Sequence, residues 1–260
     1  MGNHSPHTQV ISYEFPLNER VRTLLRLEDL YARVEYFVAQ AESRDHHVAL
    51  GILFEIMEIG SRADLKSELL QELERQKKTL AALHNNPEIS EAALDALLAE
   101  MESVSAALLA CNVRLGQHIR ENEWLMTIRQ RACIPGGVCE FDLPSYHYWQ
   151  HQTAEKRRND LNLWLAPMLP IRDGIRIVLR LLRESGKSFH YTAHAGSFQQ
   201  MQGGRVAQLL RLRLDENLPC IPEVSANKYA LNIRFLVADY AAKSVLFDQN
   251  VDFDLIFCAF

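Results

Sequence analysis

The hydrophobic period of this chain changes once, at Gly186. Before it, apolar residues recur at steps of three and four, the mark of helices that bury one stripe. After it they alternate, the mark of strands that bury one face. One segment breaks this order. Residues 9–15, QVISYEF, are rich in β-branched and aromatic types, end at Pro16, and read as a strand. Alternation puts Val10, Ser12 and Glu14 on one face and Ile11, Tyr13 and Phe15 on the other. A lone strand leaves its backbone donors and acceptors unpaired, so this one must pair with something after Gly186. The expected fold class is α+β: an N-terminal helical bundle with a long helical hairpin, and a C-terminal antiparallel β domain joined by the N-terminal strand. The expected domains are 17–186, mainly helical, and 9–15 with 187–260, β.

Within the helical part, Leu24, Leu27, Tyr31, Val34 and Val38 form one stripe over residues 17–40. Residues 48–59, VALGILFEIMEI, are apolar almost all round, which predicts a helix buried on most sides. Residues 63–83 and 89–115 read as a helical hairpin turned at 84–87. The seam of the second helix is Leu94, Leu97, Met101, Val104, Leu108, Cys111 and Leu115, a heptad pattern. Intramolecular packing is the simpler account of so short a seam; a coiled-coil dimer is the alternative. Further helices are predicted over 117–133, 153–166 and 171–185, the last two separated by Pro167 and Pro170.

Reactive groups gather in RQRACIPGGVCEFDLPSYHYWQ, residues 129–150. Pro135, Gly136 and Gly137 stop a helix there. Cys139, Asp142 and His147 have the residue types of a nucleophile, an orienter and a base. The blander reading is that Cys133 and Cys139 flank a turn and that His147 packs among Tyr146, Tyr148 and Trp149. No catalytic residue is assigned. A metal is not expected either. His46 and His47 are adjacent, and His190 and His194 fall in a predicted strand or loop, where their spacing implies little. With neither GxxxxGK[ST] nor GxGxxG in the chain, no cofactor is expected. The five cysteines are scattered without a CxxC pair, which favours a reducing compartment. No apolar run approaches the roughly 20 residues that span a bilayer, and MGNHSPHTQV does not read as a secretory signal.

Strands are predicted over 188–201, 206–214, 228–237 and 245–257, with turn signals at Gly203-Gly204, Asn217, Pro219 and Pro222. In two of them cations lie opposite an apolar set: Arg211 and Arg213 in one, Lys228 and Arg234 in the other. If both strands share a sheet, its outer face is basic although the chain carries a net charge of −5. Asp252 and Asp254 could neutralise that face by cross-strand pairing. An acidic or mixed-charge peptide suits such a face. Nucleic acid does not, because no RNP-like aromatic interleaving accompanies the arginines.

Three stretches carry a resemblance. FPLNERVRTLLRLE at 15–28, KSELLQELERQ at 66–76 and RQRACIPGGVCEFDLPSYHYW at 129–149, with NIRF at 232–235, resemble the ZapD family of bacterial cell-division proteins that associate with FtsZ. The likeness extends from about Val10 to Phe257. It implies a non-enzymatic, cytoplasmic homodimer recruited to the division site at mid-cell. Such a protein binds the C-terminal tail of FtsZ and bundles its filaments. It further implies a basic binding surface, onto which Arg62, His147 and Arg234 map. The chain departs from the family pattern at Glu123 and Ala230, where basic residues are expected. Arg211, Arg213 and Lys228 can compensate by the argument from strand faces. The competing class is a cysteine-dependent hydrolase using Cys139 and His147.

Overall fold

The computed structural model describes residues 9–60, 64–84, 86–111, 114–201, 207–227, 229–239, 241 and 243–260. It divides into two units, Thr23–Leu179 and Met1–Arg22 with Arg180–Phe260. The class is α+β.

The helix α1 (Glu19–Ala39) starts where Asn18 Oδ1 accepts from the Val21 amide at 2.8 Å. All five residues of its expected stripe are buried. Tyr31, fully buried, donates its hydroxyl to Met168 O at 3.0 Å. No basic residue stands in the last turn of α1. Its terminal carbonyls are served from a distance: Arg158, on α8 (Ala154–Leu165), donates to Val38, Ala39 and Gln40. The helix α2 (Ser43–Gly60) is buried on most sides, as expected. It exposes only Arg44, Val48, Gly51 and Glu55, one narrow strip at steps of three and four.

The hairpin is α3 (Leu65–Ala81) against α4 (Glu91–Ala110). Leu69 and Leu73 are buried on one helix, and Leu94, Met101 and Leu108 on the other. Lys77 ties the helices together through Glu102. The helix expected over 117–133 is two helices, α5 (Gln117–Arg120) and α6 (Glu123–Ala132). Asn122 restarts the second by accepting from the Leu125 amide at 3.0 Å. Past the loop that follows lies α7 (Pro144–Gln150). The helices expected on either side of Pro167 and Pro170 are separate, as expected, with Pro167 in the short turn between them. A 3-10 turn over Ala166–Met168 leads directly into α9 (Leu169–Glu184). Pro170 falls in the first turn of that helix, where an amide would have no partner.

Among its described residues the other unit contains seven strands: β1 (Val10–Pro16), β2 (Lys187–Ala193), β3 (Ser197–Met201), β4 (Leu209–Asp215), β5 (Cys220–Ala226), β6 (Ala230–Val237) and β7 (Val251–Cys258). They form two antiparallel sheets, β1-β4-β7-β2 and β3-β6-β5. The N-terminal strand joins the late sheet, as expected, pairing with β4. Leu210, Leu212, Leu214, Phe253 and Leu255 of the first sheet pack on Leu231, Ile233 and Phe235 of the second. The Phe235 and Phe253 rings meet with centroids 5.1 Å apart.

Two strand expectations need correction. The single strand over 188–201 is two strands in different sheets, divided by a turn at Ala195 and Gly196, both at positive φ. β5 was hidden by Pro222, which reads as a breaker. It is tolerated because β5 is an edge strand, where a missing donor costs no ladder bond. The Gly203-Gly204 turn signal lies outside the described residues.

Candidate functional site

The loop from Cys133 to Leu143 is held by its own backbone. Ile134 bonds Arg131 O, Gly137 bonds Ile134 O, Cys139 bonds Gly136 O, and Leu143 bonds Cys139 O. Gly137 is buried, and a Cβ there would lie 2.4 Å from Arg131 O, so the glycine is what lets the turn close. Arg131 and Asp142 bridge the loop base at 3.9 Å. Asp142 is thereby a neighbour of Arg131 rather than an orienter of His147.

Behind the loop, α7 sends Tyr146 and Trp149 inward, one turn apart. They meet Trp124 and Trp164 in a cluster of rings with neighbouring centroids 5.7–6.3 Å apart. Tyr146 Oη lies 2.7 Å from His47 Nδ1, and Trp149 Nε1 donates to Asp160 at 3.0 Å. Burial raises the Tyr146 phenol well above its usual range and lowers His47 below its own. The other face of α7 carries His147 and Tyr148. His147 Nε2 lies 3.6 Å from Glu140, and its ring is 4.3 Å from that of His151. No hydrogen bond joins His147 to Cys139, whose thiol is exposed. Sequence reading missed the apolar groups shown to solvent here: Phe141 of the loop is 80% exposed and Tyr148 of α7 70%. The helical step from Tyr146 to Trp149, which leaves Tyr148 off the buried side, is the signal that could have found Tyr148.

The expected basic sheet face is not one surface. Arg211 and Arg213 lie on β4, and Arg234 on β6 of the second sheet. The core between the sheets takes the residues alternating with these arginines. The two groups of cations therefore face outward on opposite sides of the sandwich. Arg211 is also committed. Its Nε lies 3.1 Å from Glu14 Oε1, an ion pair bent too far for a hydrogen bond. The same carboxylate accepts two 2.8 Å bonds from Arg183. Arg213 is exposed, set in register between Ser12 of β1 and Asp254 of β7. Asp254 is engaged by His190 Nδ1 at 2.9 Å, and Asp252 accepts from Thr192. Arg234 is exposed, with Glu223 Oε2 at 3.5 Å across the pair of strands. Arg62 and Lys228 lie outside the described residues. Among the described residues, no three His, Cys, Asp or Glu side chains converge as a metal site would require, and no helix is long and apolar enough to cross a membrane.

Comparison with known proteins gives one consistent answer. The profile of the ZapD family, described as "Cell division protein", matches residues 25–234. The "Cell division protein ZapD" of Chromobacterium violaceum is 56% identical over 252 residues, covering 96% of this chain and 100% of that one. The protein of that name from Azoarcus sp. is 55% identical over 249 residues, 96% and 99% of the two chains. The one from Nitrosomonas europaea is 50% identical over 250 residues, 96% and 95%.

Proposed function

The chain belongs to the ZapD family of cell division proteins, and from that premise we propose that it binds the C-terminal tail of FtsZ and crosslinks FtsZ filaments at the division site. The observation that carries the reading is identity above one half along nearly the whole chain with proteins of that name. The exposed cations Arg213 and Arg234 suit a tail bearing carboxylates, since a guanidinium can receive a carboxylate through two parallel bonds. His147 is a further candidate for tail contact, as are Arg62 and Lys228, which lie outside the described residues; Arg211, held by Glu14, is the least available of the candidates.

Two copies of the chain, each with one tail site, make a crosslinker. Each contact can be weak, because linked sites gain through effective concentration. A disordered tail loses conformational entropy on binding, which lowers its affinity per contact. Contacts between exposed charges weaken with salt, so bundling should fall as ionic strength rises. The protein acts without catalysis in this reading, in the cytoplasm, recruited by FtsZ itself.

The test is co-sedimentation with filaments of full-length and tail-deleted FtsZ. Pelleting with the first and not the second supports the reading; equal pelleting with both, or with neither, removes it. Arg234→Glu and Arg213→Glu should be assayed singly, because they report on different faces.

A further inference from the structure

Trp124 and Trp164 are the two members of the ring cluster that reach the surface. Both are half-buried, whereas Tyr146 and Trp149 behind them are buried. They come from different elements, Trp124 from the first turn of α6 and Trp164 from the last turn of α8. Their centroids lie 5.7 Å apart and their planes meet at 41°. The pair that stacks flat, at 18°, is the inner one, Tyr146 with Trp149. Trp124 meets these two at 55° and 64°, and Trp164 meets Trp149 at 36°. Among the described residues no ring lies parallel on either outer indole.

Both rings are set in place within the fold. An indole can only donate, and Trp124 Nε1 gives its bond to Ser145 Oγ at 3.0 Å. The backbone at Trp164 is pinned by His118 Nε2, which donates to Trp164 O at 2.7 Å. A ring already held loses little freedom when a partner arrives. The charge beside Trp124 is negative. Glu123, the first residue of α6, is exposed, and among the described residues its carboxylate has no partner. Glu121, just before the Asn122 cap, is exposed too and accepts from the neutral amide of Gln117. The cations of α6, Arg129 and Arg131, stand in its last turn, at the far end from Trp124. The helix dipole favours a carboxylate at Glu123 in any case. It does not account for two half-open indoles beside that carboxylate. Indole is the aromatic ring whose face attracts a cation most strongly, and a free carboxylate attracts the same charge.

We propose that Trp124 and Trp164, with Glu123 beside them, seat a lysine or arginine side chain of the FtsZ tail. This rests on the reading that the chain binds that tail, and it gives the tail's cations a place that the arginines cannot offer. The tail is then read by sign: its carboxylates go to the cationic candidates named above, and a cation goes to the indoles. A segment with carboxylates alone would gain nothing from this seat and would be repelled by Glu123.

The test uses the full chain and two synthetic peptides: the FtsZ C-terminal tail, and the same tail with every lysine and arginine replaced by glutamine. Calorimetry measures affinity, and the indole N–H signals of the nitrogen-15-labelled protein show whether the rings are touched. The native tail should shift the Trp124 and Trp164 signals. The neutral tail should bind about fivefold more weakly and leave those signals in place. Equal affinity and equal shifts for the two peptides overturn the proposal. Tail binding that moves neither signal overturns it as well and leaves tail binding intact. A protein that binds neither peptide overturns both readings. Glu123→Gln adds a test of sign in an exposed residue, where the fold should not change. If a cation sits here, losing the carboxylate weakens the native tail about twofold. If a tail carboxylate sits here, losing a like charge strengthens it, so unchanged or higher affinity counts against the proposal. Trp124→Leu should weaken the native tail about fivefold and spare the neutral one. Equal weakening of both peptides would reduce Trp124 to packing and sink the proposal. Should that variant not fold, the two peptides and Glu123→Gln still decide.

Discussion

His46 and Arg157 form a buried hydrogen bond, the Arg157 Nε donating to His46 Nδ1 at 3.0 Å. A guanidinium only donates, so His46 Nδ1 must be the unprotonated nitrogen, and its Nε2–H donates to Gln40 O at 3.0 Å. Arg157 also donates to Gln150 O, Gln152 O and Ala41 O. One side chain thus closes the turn between α1 and α2 and the turn between α7 and α8. Arg157→Ala strands these acceptors and should destabilise the protein by about 3 kcal/mol. Arg157→Lys should recover only part of that, because an ammonium lacks the planar fork. Urea denaturation of the three proteins measures it.

The same bond gives stability a pH dependence. Burial, with Arg157 adding to it, holds His46 below the ordinary histidine value of 6.5, against a partly offsetting bond to Gln40. Burial alone lowers His47. The unfolded chain therefore takes up protons first as pH falls. Stability should be full above pH 6.5 and decline below it, towards the depressed folded values. His46→Gln can keep both hydrogen bonds without titrating and should flatten the decline between pH 6.5 and 5.5. A variant with the wild-type slope would show that His46 is not its source.

Glu14 holds two arginines, Arg183 and Arg211, and so ties Arg211 into the fold. Glu14→Gln should cost about 1–3 kcal/mol, because both guanidinium groups lose their anion in a half-buried place. Arg211→Ala should cost less, since Arg183 stays paired. Thermal melting of both variants, alongside FtsZ co-sedimentation, separates a stability role from a binding role.

Gly196→Ala should be among the most damaging small substitutions in the β unit. The residue sits at φ +70, and an added Cβ would lie 2.2 Å from Phe247 O. Strain and clash together should exceed about 3 kcal/mol. Expression and melting temperature test it, with an exposed control such as Gln199→Ala expected to be neutral.

Cys133 and Cys139 are both exposed, and neither thiol supports the loop. Replacing both with serine should change stability by no more than about 0.5 kcal/mol. It should also leave FtsZ bundling intact, and alkylating the wild-type thiols should do the same. Loss of bundling in a folded double variant would revive the thiol as a functional group.

Much of the fold was legible because it is written in local periodicity. The buried stripe of α1 could be read residue by residue, and the partnerless strand at 9–15 forced a pairing with the late sheet. What was not legible depends on contacts between distant residues. Alternation shows that Arg211 and Arg234 each oppose an apolar set, but not that β4 and β6 lie in different sheets. That depends on which strands pair, and no single strand records it. Pro222 signals a break by its local effect, whereas its place on an edge is a property of the sheet. The binding surface suffered the same way. Glu14 lies about two hundred residues from Arg211 in the chain, and only the pairing of β1 with β4 shows that this arginine is already taken.

The ring cluster behind the loop has an optical consequence. The chain has three tryptophans, and Trp124, Trp149 and Trp164 all sit in that one cluster, within the Thr23–Leu179 unit. The strand unit contains none. Intrinsic emission excited at the indole band is therefore a report from one half of the molecule. Unfolding of the sandwich has no indole of its own to announce it. A tryptophan placed in β1 would supply the missing reporter.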